Sequence, residues 1–321
     1  MKMSLDEVLM VTALGSYVLA ALALLAYFFS RQDWLRLFGA PLAILGCAAQ
    51  FAQLIARFEM TGIWPLLNLY GSLSLFAAMA VAIYIGFAVR YKLWFAGGFV
   101  LALAAIFLAY GVTWNEGTMP AVPSLQSYWA KIHVPIVVSS YAAFLVAFVF
   151  SCIYLLKYYA ERIFEGGAPS ATFATNTGAD IPAAAFAISD AGALQRDTPA
   201  MTAAAAAGNP VAVWFGTLPS LAKLDVIVYR AVAIGLPLIS IGIITGAMWA
   251  KEAWGAYWQW DPKETAALFS WIIYLAFMHL HTRHAWRGLR TNWVSVIGFV
   301  SIVFCYLGVN IFISGLHSYK M

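Results

Sequence analysis

Long apolar runs, separated by short polar breaks, recur along this chain and limit what it can fold into. A run of about 18 residues or more is long enough to cross the hydrocarbon core of a membrane as a helix. Only 10% of the 321 residues are charged and 63% are hydrophobic, a composition that cannot cover a water-soluble globule. Because the bilayer core offers no water to exposed backbone groups, helices can cross it and open strands cannot. The sequence therefore predicts an all-α polytopic membrane protein.

Eight spans are predicted, and they divide the chain into three parts. Residues 1–159 hold the first five spans, and residues 218–321 hold the last three. Between them, residues 160–217 are rich in Ala, Gly, Thr and Asn and include a run of five alanines at 203–207. Such a low-complexity segment predicts a flexible insertion, with residues 214–223 as an interfacial helix. The predicted spans are residues 8–30, 37–57, 66–90, 93–110, 135–158, 226–248, 265–284 and 294–313.

Positive charge predicts the orientation of the spans, because Lys and Arg collect in cytoplasmic loops. With the amino terminus outside, twelve of the 18 Lys and Arg residues fall on the inner side and six on the outer side. This orientation makes the insertion cytoplasmic and puts both termini outside. No basic stripe of the kind that binds nucleic acid is present in the sequence, so no nucleic-acid partner is expected.

Aromatic residues cluster in residues 249–265, between the sixth and seventh spans. Trp254, Tyr257, Trp258 and Trp260 precede Asp261 there. An interfacial belt of aromatic side chains accounts for one or two residues at a helix end but not for four in one loop. Clustered indoles offer a flat apolar platform with N–H donors, which suits a planar conjugated ligand such as a porphyrin. A quinone or another planar solute fits the same description, so a membrane redox enzyme or transporter stays open.

The stretch from Trp254 to Thr265 resembles the tryptophan-rich WWD signature of haem-handling membrane proteins. Within that group the number of spans, the segment of residues 280–283 and the ending of residues 315–319 resemble the CcsA (ResC) family of cytochrome c assembly. Residues 129–135 are similar to the family segment that carries an external histidine, and residues 62–70 are similar to its first outer loop and third span. The resemblance covers most of the chain outside the insertion.

The resemblance implies a function for the whole chain. It implies export of haem b and its presentation for thioether attachment to the CxxCH motif of apocytochrome c. The chain would act as a subunit of a holocytochrome c synthase, or haem lyase, with a CcsB (ResB) type subunit and thiol-reducing factors. The expected location is the inner (plasma) membrane, or the thylakoid membrane in a plastid, with the loop on the outer side. A chaperone of the CcmC type, which only binds and passes haem, stays open.

Two histidines are predicted on the same outer side as the tryptophan loop. His133 precedes the fifth span and His317 follows the eighth. Two neutral imidazoles from opposite faces supply the axial ligands of a haem iron, with the tryptophan platform against the ring. An interfacial histidine bonded to a carbonyl is the alternative for either residue alone. No CxxCH motif occurs in the chain, so the haem is expected to be bound without thioether bonds to it.

Three further histidines lie at the other end of the seventh span. The 21 residues from Trp260 to His281 span about 30 Å as a helix, too far for one haem to contact both ends. By resemblance His281 is a ligand of a second, inner haem, and the partner subunit supplies the opposite ligand. His279 and His284 suit a helix C-terminus near anionic headgroups and are assigned no ligand role.

Two carboxylates follow the tryptophans. Asp261 and Glu264 could relay protons as a pair. Asp261 before Pro262 is also suited to cap the seventh helix, with Glu264 in its first turn. The capping role is the more economical interpretation, although either carboxylate could also meet a lysine or a haem propionate.

Overall fold

The structure, a computed structural model, describes residues 3–66, 68–115, 126–164, 199–283 and 285–313. Throughout these residues there are helices and no β-strand, so the predicted all-α class is confirmed. In chain order the helices are α1 (Leu5–Ser30), α2 (Asp33–Thr61), α3 (Leu69–Tyr91), α4 (Gly97–Val112), α5 (Tyr128–Phe164), α6 (Pro199–Ala206), α7 (Pro210–Gly216), α8 (Leu221–Trp254), α9 (Pro262–His281), α10 (Leu289–Val303) and α11 (Val309–Phe312). A 3₁₀ turn, Trp94–Ala96, precedes α4, and a π-helical turn, Phe304–Gly308, joins α10 to α11.

Seven helical segments in the described residues are long and apolar enough to cross a membrane. They are α1, α2, α3, Trp94–Val112, α5, α8 and Leu289–Gly308. The predicted seventh span forms α9, whose 20 residues reach about 30 Å. Helix α9 is not among the seven, because polar residues at both ends lower its average hydropathy. They are Lys263 and Glu264 in the first turn and His279 and His281 in the last.

Helix α5 is the centre of the bundle. It packs most extensively against α8 and also contacts α3 and α10. Helices α1, α2 and α4 pack with α3 on one side, and α9 joins α8 and α10 on the other. The tryptophan loop follows α8, and the Ser127 hydroxyl before α5 donates to Glu252 near the end of α8 at 2.7 Å. The start of α5 and the end of α8 therefore meet at one end of the bundle, here called the loop end.

Cations are distributed unequally between the two ends of the bundle. Those at the loop end are Arg57, Lys131, Lys251 and Lys263, whereas those at the opposite end are Arg31, Arg36, Arg90, Lys92, Lys157, Arg162, Lys223, Arg230, Arg283, Arg287 and Arg290. Among the described residues, Lys and Arg are therefore fewer at the loop end, as they are on the predicted outer side in the sequence. Since cytoplasmic loops retain Lys and Arg, this difference favours an outer position for the loop end.

Part of the segment that the sequence assigns to an insertion packs against the bundle. Helix α5 continues through the predicted boundary at residue 160 to Phe164, and α6 and α7 follow residue 198. Met201, Ala212 and Phe215 are buried in the main core, and the Trp214 indole N–H donates to the Phe28 carbonyl at 3.1 Å. Where the sequence predicts an interfacial helix at residues 214–223, the structure has the short helix α7 at Pro210–Gly216, and residues 221–223 already belong to α8. The interfacial position stays a prediction. Residues 165–198 lie outside the described residues.

Only the middle of the insertion is expected to be dispensable. Replacing residues 169–198 with a short Gly/Ser linker should leave thermal stability, and the cytochrome assembly that the resemblance implies, largely unchanged, because the sequence there offers no candidate ligand. Phe215→Ala should lower the unfolding free energy by about 3 kcal/mol or more, since it empties a buried site in the core. Melting of the purified protein and assembly of a client cytochrome measure both effects. Loss of assembly at normal protein levels in the linker variant would assign residues 169–198 a function.

Candidate functional site

A cleft opens at the loop end between α5, α8, α9 and the tryptophan loop. It encloses about 530 Å³, part of which is open to the outside. Its wall is apolar and aromatic apart from a few polar groups, the composition typical of small-molecule sites. The lining residues are His133, Val137 and Tyr141 of α5, Ile243, Gly246, Ala247 and Trp249 of α8, Tyr257 and Trp258 of the loop, and Lys263, Glu264 and Ala267 of α9.

His133 is held in the wall of the cleft by α8. Its Nδ1 lies 2.8 Å from the Gly242 carbonyl oxygen, and its ring stacks on Trp249 with centroids 5.9 Å apart and planes 23° apart. In a neutral ring Nδ1–H donates to that carbonyl, so Nε2 carries the lone pair. A backbone carbonyl on one nitrogen is the usual way in which proteins orient a histidine that ligates metal through the other. The bond between His133 and the Gly242 carbonyl therefore does not prevent His133 from binding a metal through Nε2.

Two glycines of α8, which the sequence reasoning missed, let α5 approach closely at His133 and Val137. A Cβ at Gly246 would lie 2.7 Å from Cε1 and 3.0 Å from Nδ1 of the His133 ring. A Cβ at Gly242 would lie 2.6 Å from Val137 Cγ2, so here too α5 approaches the backbone of α8 closely. The spacing Gly-x-x-x-Gly in an apolar helix is the sequence signal that could have identified this contact.

The four aromatic residues of the loop do not form one continuous platform. Tyr257 and Trp258 line the cleft. Trp254 packs instead on Trp249, with ring centroids 5.0 Å apart, in a small cluster with Ala130 at the start of α5. Trp260 is 69% exposed and meets Trp258 edge to face at 5.7 Å. The platform facing the cleft therefore combines Trp249, Tyr257 and Trp258.

Asp261 and Glu264 fix the loop to the first turn of α9. The Asp261 carboxylate accepts the Lys263 N–H at 3.0 Å, and Pro262 occupies the first helical position. Glu264 Oε2 accepts the N–H groups of Asp261 at 3.2 Å and of Gln259 at 2.9 Å. The predicted cap by Asp261 and the predicted place of Glu264 in the first turn are confirmed, and the bond from the Asp261 N–H to Glu264 completes a capping box. This cap also stabilises the turn in which Trp260 has a φ of 55°, a conformation costly for a residue other than glycine.

His281 lies at the opposite end of the bundle in a buried polar network. Its Nε2 is 2.9 Å from Asp225 Oδ2 of α8, and Asn292 Nδ2 of α10 donates to the other carboxylate oxygen at 3.0 Å. Its ring lies between Tyr229, at 4.7 Å, and Phe277, at 5.8 Å. Coordination of iron through Nε2 requires that Asp225 give up this contact. The sequence reasoning missed Asp225 and Asn292. Asp225 is 56 residues from His281 and 67 residues from Asn292 in the sequence, so no local pattern joins them.

Two of the remaining histidines, His317 and His284, lie outside the described residues. His279 is exposed in the last turn of α9, where its backbone carbonyl accepts the Thr282 hydroxyl at 2.6 Å. The cleft therefore contains one histidine among the described residues, and the partnership of His133 with His317 stays a prediction.

Comparison with known proteins gives the family of the chain. Residues 66–317 match the family described as Cytochrome C assembly protein. The chain is 32% identical to the cytochrome c biogenesis protein CcsA of Gloeobacter violaceus over 94% of its own length and 92% of that protein. It is 36% identical to CcsA of Synechococcus elongatus over 84% of its length and 82% of that protein, and 31% identical to CcsA of Porphyra purpurea over 91% and 89%.

A solved structure shares the fold. The cytochrome c haem lyase CcmF aligns with 95% of this chain at a TM-score of 0.61 and 15% identity. The chain spans about half the length of CcmF, since the alignment covers 47% of that structure. The family match over residues 66–317 and the identities of 31–36% over most of the chain show that this chain belongs to the CcsA family of cytochrome c assembly proteins.

Proposed function

We propose that this protein handles haem in cytochrome c biogenesis, binding it in the cleft at the loop end and presenting it for attachment to apocytochrome c. The observation that carries the proposal is the position of His133. Its imidazole is oriented by the Gly242 carbonyl and lines a cleft whose other walls are aromatic. An oriented imidazole supplies an axial ligand to iron, and indole and phenol rings supply stacking area for a porphyrin.

The residues of the cleft suit haem b in three respects. His133 provides the nitrogen donor, while Trp249 and Trp258 provide flat apolar surfaces. Tyr257 is 56% exposed at the mouth, so a ligand bound there remains accessible from outside the bundle. His317 is proposed as the second axial ligand, as the sequence predicts. Trp254, Trp260 and Asp261 are proposed to act through the shape of the loop.

His281 is proposed as the ligand of a second, inner haem. The pair formed with Asp225 keeps a buried imidazole satisfied when the site holds no haem, which offsets the cost of burying it. Because no histidine precedes His133, the opposite ligand is proposed to come from a CcsB (ResB) type subunit. Haem would then pass from this end of the bundle to the loop end, which is proposed to be outside the membrane on the charge bias.

The proposed contribution to the reaction is positioning. Haem brings the two vinyl groups, and the CxxCH segment of the client brings two thiols, kept reduced by thiol-reducing factors, and a histidine. A client histidine that replaces one axial ligand would hold the thiols near the vinyl carbons, and holding reactants in register lowers the barrier without a nucleophile from this chain. Such a chain is a subunit of a holocytochrome c synthase.

The test is a pair of measurements on the full-length protein. We expect the chain purified in detergent to show the Soret band of a six-coordinate low-spin haem. Co-expression with a CcsB-type subunit and a CxxCH client, in cells without other assembly factors, should give haem that stays on the client after denaturation. A client with both cysteines replaced by serine is the control. A Soret band without covalent product would favour the CcmC-type chaperone, and binding of a quinone without any Soret band would overturn the proposal.

A further inference from the structure

The contacts of His281 hold its imidazole in one orientation at the end of the bundle opposite the cleft. Its Nε2–H donates to the Asp225 carboxylate at 2.9 Å, because a carboxylate oxygen can only accept. The ring stacks on Tyr229 and on Phe277, with planes 27° and 25° apart. The Arg287 Nε–H donates to the His281 carbonyl at 2.6 Å. Both the side chain and the backbone of His281 are therefore restrained.

Asp225 is itself held in place by α10. The Asn292 amide donates from Nδ2 to the other carboxylate oxygen of Asp225 at 3.0 Å and to the Gly288 carbonyl at 2.8 Å. Asp225 and Asn292 are both buried. A buried carboxylate depends on hydrogen bonds that replace its lost water, so removal of the His281 partner raises the free energy of Asp225.

Iron and Asp225 compete for the same nitrogen of His281. Nδ1 is adjacent to the ring carbon that carries Cβ, so the protein itself crowds a flat porphyrin there, whereas Nε2 is at the far side of the ring. A ring nitrogen that donates its hydrogen to a carboxylate has no lone pair to offer iron. Haem can therefore bind His281 through Nε2 only after the imidazole has left Asp225.

We infer that Asp225 is a positioning residue that holds His281 away from iron, so that the inner site binds haem weakly enough to release it. The inference rests on the proposed role of His281 as the ligand of an inner haem. Binding exchanges a hydrogen bond to a charged carboxylate for a bond to iron, and release restores that hydrogen bond. A hydrogen bond to a charged acceptor is about twice as strong as one to a neutral acceptor, so the charge of Asp225 sets the strength of this competition.

The experiment measures haem binding at the inner site in the absence of the loop-end ligand. Ferric protoporphyrin IX is titrated into full-length His133→Gly protein purified with a CcsB-type subunit, and Soret absorbance and quenching of tryptophan fluorescence report binding. In this background Asp225→Asn, which keeps the shape of the side chain and removes its charge, should raise the affinity about tenfold, because a neutral acceptor holds the imidazole less firmly. Asp225→Ser should act in the same direction, whereas Asp225→Glu should retain the low affinity. Melting of each variant without haem checks that it is folded.

Glu161→Gln is the matched control, because it removes another buried carboxylate at the same end, one that pairs with Lys157 at 3.7 Å. It should leave the affinity unchanged. Asp225→Asn should also change nothing in a His281→Gly background, since the competition acts through that imidazole. Unchanged or weaker haem binding in folded Asp225→Asn and Asp225→Ser would refute the role of Asp225 while the inner haem stands. If His281→Gly does not lower haem binding in the His133→Gly protein, the proposed inner ligand itself is wrong, and the inference falls with it.

Discussion

Replacing His133 with glycine should abolish the low-spin spectrum of the haem at the loop end and cytochrome assembly with it. The substitution removes the proposed axial ligand, so the loss should exceed the 10- to 100-fold that removal of a ligand's supporting partner typically costs. It leaves a vacancy about the size of an imidazole next to the Gly242 carbonyl, which then lacks its 2.8 Å partner. Added imidazole should enter from the open side of the cleft, donate to that carbonyl and restore the six-coordinate spectrum.

The control for this variant is His279→Gly, which removes an exposed histidine at the opposite end of the bundle. It should keep the wild-type spectrum without imidazole. His281→Gly should differ from both, because it would deplete haem upstream and added imidazole at the loop end would restore nothing. A normal low-spin spectrum and full assembly in His133→Gly would reduce His133 to a helix-packing histidine bonded to a carbonyl.

Although it adds a single methyl group, Gly246→Ala should also weaken haem binding strongly, but less than loss of the histidine. The new Cβ would lie 2.7 Å from His133 Cε1, and the ring cannot move freely because Trp249 stacks on it and Gly242 bonds it. We expect the imidazole to be displaced, haem affinity to fall by about 10- to 100-fold, and the unfolding free energy to fall by about 1–3 kcal/mol from overpacking. Haem titration and thermal melting of the same preparation measure both.

Gly86→Ala is the matched substitution, since Gly86 is also a helical glycine in a span but a Cβ there meets nothing within 4 Å. It should change neither haem affinity nor stability by much. In the His133→Gly background, Gly246→Ala should cost little more, because the atoms it would meet are gone. Additive effects of the two substitutions would mean that Gly246 acts on something other than the His133 ring.

Local features of the tryptophan loop were predictable because they depend on neighbours in the chain. Asp261 before Pro262, with Glu264 three positions after the aspartate, forms a capping box wherever a helix starts there. The orientation of each aromatic side chain was not predictable in the same way. Tyr257 and Trp258 line the cleft while Trp260 lies outside it, since a loop without a fixed period gives no indication of which side chain faces inward.

For the insertion, composition predicted too little burial. The alanine-rich composition of residues 199–207 suggested a segment with little to bury, yet Met201 is 1% exposed against the bundle. Small residues let helices approach closely, so composition alone underestimates how well such a segment packs.

The sequence by itself determined the membrane class, the helical fold and the existence of the tryptophan loop, because the length of an apolar run and the residues at a helix start act locally. Only the tertiary structure decided which groups meet. His133 finds its carbonyl 109 residues away, and His281 finds Asp225 56 residues away. The first pairing arises where α5 packs on Gly242 and Gly246 of α8, and the second where α8 and α9 meet at the opposite end of the bundle. Contacts of that kind depend on how whole helices fit together, which one-dimensional periodicity does not encode.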